Sequence, residues 1–112
     1  MDKYAKQLND YLELMSRSTL LVDEGDRRNM KVLLTMLGPI DEQIIEARYG
    51  LFGQERMPID DIARRYRLTA ENLVDIIEKD LRRLAITPEW QMLLRRFSPL
   101  VRSRLGLEPR HY

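Results

Sequence analysis

Apolar residues return along this chain at steps of three and four, the spacing that lines one face of a helix. Tyr4, Leu8, Tyr11, Leu12 and Met15 make the first stripe. After a break near Asp23-Glu24-Gly25-Asp26, Met30, Leu33, Leu34 and Leu37 make the second. Gly38 and Pro39 close that helix and open a third, which carries Ile40, Ile44 and Ile45. Pro39 suits a first helical turn, and Asp41 and Glu42 face its positive end. The third helix ends at Tyr49-Gly50, where glycine can take a left-handed cap, and residues 51–57 form a loop.

Pro58-Ile59-Asp60-Asp61 open a short helix whose inward positions are Ile59, Ile62, Ala63 and Tyr66. Thr69 is a good N-cap for the next helix, and Leu68 can staple onto Leu73 across it. That helix buries Leu73, Ile76, Ile77, Leu81 and Leu84. Thr87-Pro88-Glu89 cap a last helix with Trp90, Leu93, Leu94 and Phe97 on one face, interrupted at Pro99. No segment alternates at period two for long enough to make a strand. The pattern predicts an all-α fold of about six helices. It comprises an N-terminal helical extension (1–37), a helix-turn-helix unit (38–86) and a C-terminal basic helix and tail (87–112), together one compact unit.

With 112 residues, 44% apolar and 33% charged, the chain has the balance of a single globular domain. No apolar run approaches the length of a membrane span, and no basic segment leads into an apolar one near Met1. There is no cysteine, hence no disulfide and no thiolate metal site. A cytoplasmic protein is the expectation. Charge is uneven: residues 1–62 hold eight basic against twelve acidic side chains, 63–78 three against three, and 79–112 eight against three. A basic end behind an acidic front suits an anionic partner, although a solvated arginine-rich face gives the same count.

Two short helices joined through Arg67-Leu68-Thr69 read as a helix-turn-helix, with Ala63 the small residue where the second helix crosses the first. Around it stand Ile44-Ile45-Glu46-Ala47-Arg48-Tyr49-Gly50-Leu51-Phe52-Gly53 and Met57-Pro58-Ile59-Asp60-Asp61-Ile62-Ala63. Further on come Leu68-Thr69, Glu71, Ile76, Lys79 and Leu81-Arg82-Arg83-Leu84. Over residues 37–84 these stretches resemble region 4 of bacterial RNA polymerase sigma factors, with consistent spacing and no gap. The resemblance implies a transcription-related protein, a polymerase contact and a duplex-facing second helix.

Where that family reads its promoter element, this chain departs. The family's helix opens Thr-Arg-Glu-Arg-Val-Arg-Gln; here the run is Thr69-Ala70-Glu71-Asn72-Leu73-Val74-Asp75. Glu71 could accept from a cytosine amino group and Asn72 could read adenine. Ala70 and Val74 lack the cations, and Asp75 opposes phosphate. Arg67 stands where the family usually has glycine, a strain if that position is left-handed. The candidate duplex contacts are therefore Arg64, Arg65, Arg67, Thr69, Glu71, Asn72, Lys79, Arg82 and Arg83. The candidate partner contacts are Leu51, Phe52, Val74, Trp90, Arg95 and Arg96. Trp90 reads more simply as core, since it shares a stripe with Leu93 and Leu94.

The functional expectation is a helix-turn-helix protein acting through RNA polymerase or another transcription protein, through weak double-stranded DNA binding, or both. The alternative is an adaptor or antagonist that uses the helix pair for protein contact alone. An enzyme is not expected: the one histidine, His111, sits at the chain end, and there is no cysteine nucleophile or phosphate loop. Asp41-Glu42 and Asp60-Asp61 lie in first helical turns, where the dipole accounts for them. No metal and no cofactor are expected, and the pattern leaves self-association open.

Overall fold

The computed structural model describes residues 1–106, and their regular structure is helical, with no strand among them. Seven α-helices follow in order: α1 (Lys3–Arg17), α2 (Glu24–Leu34), α3 (Pro39–Tyr49), α4 (Ile59–Arg65), α5 (Ala70–Ala85), α6 (Pro88–Arg96) and α7 (Pro99–Arg104). A single 3-10 turn, Thr35–Leu37, links α2 to α3. His111 lies outside the described residues. The count exceeds the expected six because Pro99 does not merely interrupt the last helix. It occupies the first turn of a new one, N-capped by Ser98. Gly25 likewise sits inside the first turn of α2, since Asp23 is the N-cap and accepts from the Asp26 amide.

Side-chain caps fix most helix starts. Asp2, Asp23, Thr69, Thr87 and Ser98 each accept a backbone N–H three residues on. At the end of α3, Gly50 is left-handed at φ 66°, and a side chain there would meet the backbone and Cβ of Arg56. No other residue fits that turn.

One apolar core runs from Ala5 to Val101 and draws on every helix. The long faces of α1 and α5 pack together most extensively, and α4 crosses α5 beside them. Ile44, Ile62, Ala63, Leu73, Ile77 and Leu81 are buried as the spacing predicts. Several expectations need correction. Ile59, Tyr66, Leu68, Ile76 and Leu93 are only half-buried. Ile40 points into solvent from the first turn of α3, and Tyr4 is exposed near the start of α1, where fewer neighbours cover a helix end.

A polar seam ties α2 to α3. Glu46 is 4% exposed, and both its oxygens accept from Lys31 Nζ at 2.8 and 2.9 Å. Glu42 takes the same ammonium at 2.9 Å. These carboxylates hold the lysine above its ordinary pKa. Aromatic packing ties α1 to α6: the Tyr11 ring stacks on Phe97 at 4.5 Å between centroids and tilts against Trp90 at 5.4 Å.

Candidate helix-turn-helix surface

The turn between α4 and α5 is a closed hydrogen-bonded unit. The Leu68 amide donates to the Ala63 carbonyl at 2.8 Å and the Arg67 amide to the Arg64 carbonyl at 3.3 Å, which satisfies the last carbonyls of α4. Arg67 must take φ 57° to allow this, the conformation that glycine adopts freely. Arg67 therefore bears a strain that glycine would not. Arg67→Gly should raise stability by about 1 kcal/mol, read as a Tm increase of roughly 4 °C in thermal melts. A lower Tm would contradict the left-handed assignment.

Across the turn, Thr69 Oγ1 accepts the Asn72 amide at 3.0 Å, so this hydroxyl serves as helix cap rather than as a free contact. Glu71 and Asn72 are exposed in the first turn of α5. Val74 is 40% exposed, with Asp75 exposed and Glu78 half-buried along the same side. The first two turns of α5 therefore present Glu71 and Asp75 beside Val74 and no basic side chain, and Glu78, just beyond them on the same side, lies 3.9 Å from the Met1 ammonium. The last turns of α5 present Lys79, Arg82 and Arg83.

The arginines do not all stand ready. Arg64 pairs with Asp61 at 3.6 Å, an exposed contact of small energy. Arg82 reaches Asp2 at the start of α1, 3.2 Å away. Arg65, Arg67, Lys79 and Arg83 are exposed, and none forms an ion pair among the described residues.

On the back of α5, Asp80 is 6% exposed, and its Oδ2 has no hydrogen-bond partner among the described residues. Burial and the facing carboxyl of Asp41 on α3 push its pKa up to about 7, against a smaller opposing pull from Arg83. The helix dipole is therefore not all that acts on Asp41. Its neighbour across the helix packing is a tertiary fact that no local pattern carries.

The partner candidates divide sharply. Leu51 is 1% exposed, contrary to expectation: the loop after α3 folds back, with the Met57 amide donating to the Ala47 carbonyl at 2.9 Å. That return tucks Leu51 into the core. Phe52 is half-buried at φ 55°, its ring 5.1 Å beneath the Lys31 ammonium, and so only partly available. Trp90 is fully buried, and its indole N–H donates to Gln7 Oε1 at 3.1 Å. It belongs to the core and not to a partner surface. Val74, Arg95 and Arg96 are exposed.

What sequence reasoning missed is a second surface. Val32, Met36 and Met92 are large apolar side chains 44–68% exposed, and they line one groove between α2 and α6. The signal was present as Glu89, Met92, Leu93 and Arg96 at helical spacing, a stripe beside the core one. No helix among the described residues is long and apolar enough to cross a membrane. Among known proteins, no family model, no curated sequence and no solved structure matches this chain.

Proposed function

We propose that this chain is a transcription-related helix-turn-helix protein that acts chiefly by protein contact, with RNA polymerase or another transcription protein as the partner. The link to transcription rests on the resemblance of residues 37–84 to sigma region 4. The observation that carries the contact mode is the exposed face of the first two turns of α5. Two exposed carboxylates, Glu71 and Asp75, flank Val74 there with no basic side chain, and Glu78 follows on the same side, 3.9 Å from the Met1 ammonium. A helix entering a duplex groove brings that part closest to phosphate, where fixed negative charge repels. Against a basic protein surface the same carboxylates are complementary, and Val74 supplies an apolar centre.

Purified protein should associate with polymerase core, holoenzyme or free sigma factor in calorimetry. Val74→Arg should weaken that association by about tenfold or more, with helicity unchanged. Lack of association with all three would end this reading.

Weak duplex binding is the second reading, favoured by Arg65, Arg67, Lys79 and Arg83, which are exposed and form no ion pair among the described residues. Four phosphate contacts give a slope of log affinity against log salt of about −3.6. Asp75→Arg should then strengthen binding to every duplex alike. Absence of duplex binding at low salt by folded protein would exclude it.

A further inference from the structure

Helix α6 carries two stripes. Trp90, Leu94 and Phe97 at its C-terminal edge face the core, while Glu89, Met92, Leu93 and Arg96 follow the i, i+3, i+4, i+7 rule on another side. Met92 is 53% exposed, Leu93 is half-buried, and Glu89 and Arg96 are exposed. All four line the groove of about 350 Å³ whose other wall is Val32, Leu33 and Met36. Monomers rarely leave three large apolar side chains open in one place without a use for them.

The order of charges along this stripe says what covers it. Glu89 and Arg96 lie two turns apart, roughly 10 Å along the axis, too far to pair with each other. Neither forms an ion pair among the described residues. Read backwards, the stripe is its own complement. In an antiparallel pair of α6 helices, Glu89 meets Arg96 of the other copy, and Met92 meets Leu93. A two-fold axis then passes between positions 92 and 93. Every contact occurs twice, as a closed symmetric dimer requires. A parallel arrangement would instead set Glu89 against Glu89 and Arg96 against Arg96.

We infer that the α2–α6 groove is a homodimer interface, in which two copies pair antiparallel through Met92 and Leu93, flanked by reciprocal Glu89–Arg96 ion pairs. Val32 and Met36 give the incoming Met92 an apolar seat, so the contact is wider than one helix. This surface is separate from the exposed face of α5, and the inference stands or falls independently of the transcription reading.

Sedimentation velocity over a concentration series tests it with the full chain. Wild type should pass from monomer to dimer as concentration rises. Met92→Lys should raise the dissociation constant by about tenfold or more, since it places a cation in the apolar centre. Glu89→Arg and Arg96→Glu should each weaken self-association, because each sets like charges together at both ends. Mixed in equal amounts, these two variants should dimerise with each other, since every end then joins opposite charges again. Circular dichroism confirms that all variants fold, as these side chains are not in the core. Wild type that stays monomeric at every concentration overturns the proposal and leaves the groove to a different protein. A dimer insensitive to Met92→Lys, or a mixture that fails to regain association, overturns it equally.

Discussion

Ala63→Asp should lose cooperative folding, or melt at least about 15 °C below wild type by circular dichroism. Ala63 is 3% exposed on α4, and its carbonyl accepts the Leu68 amide that closes the turn into α5. A carboxylate there has neither room nor a cation, because Arg64 and Arg65 point outward from the same helix. An unpaired buried charge costs about 3–5 kcal/mol, much of the stability of a domain of this size. Arg65→Ala, two residues on but exposed, should stay within about 0.5 kcal/mol of wild type. Equal effects from both substitutions would mean that α4 does not pack on α5 through Ala63.

Asp80→Asn should stabilise the protein at neutral and higher pH, by up to about 4 kcal/mol. The Asp80 carboxyl titrates near 7 in the fold, against an ordinary value of 3.8. Between those values the folded state holds a proton that the unfolded chain has released. Its contribution is therefore complete below about pH 4, is lost as pH rises towards 7, and changes no further above that. Asparagine removes the ionisation and can donate to Asp41. The variant's gain over wild type, from urea unfolding, should be larger at pH 8 than at pH 5. Measuring the difference between the two proteins cancels other groups, such as Asp26, whose carboxyl is also raised by burial. A variant less stable than wild type at pH 8 would show that the two carboxyls do not face one another.

The helices themselves were legible because each side of the chemistry is local. Stripes such as Leu73, Ile77 and Leu81 need only helical spacing. Thr69 and Gly50 act within one turn of where they stand. What was not legible depends on how segments fold back. Leu51 follows a glycine in a loop, the usual place for an exposed residue, yet the Met57–Ala47 hydrogen bond returns that loop to the core. Ile40 and Tyr4 obey the helical period but sit at helix starts, where the core does not reach. Of the duplex candidates, the exposed positions Arg65, Arg67, Lys79 and Arg83 stand without an ion pair among the described residues. The engagement of Arg82 by Asp2 could not be foreseen, since eighty residues separate them.

The chain has one tryptophan, and its placement makes it a built-in fluorophore for one particular junction. Trp90 is screened from water by Tyr11 of α1 and by Phe97, and is anchored by Gln7 of α1. An indole in such surroundings emits at shorter wavelength than one in solvent. Emission therefore reports the parting of α1 from α6, whereas ellipticity reports all seven helices at once. If both signals trace one curve in urea, the two ends of the chain unfold together with the α4–α5 pair as a single cooperative unit. A fluorescence transition that runs ahead would instead identify the α1–α6 clasp as the part that opens first.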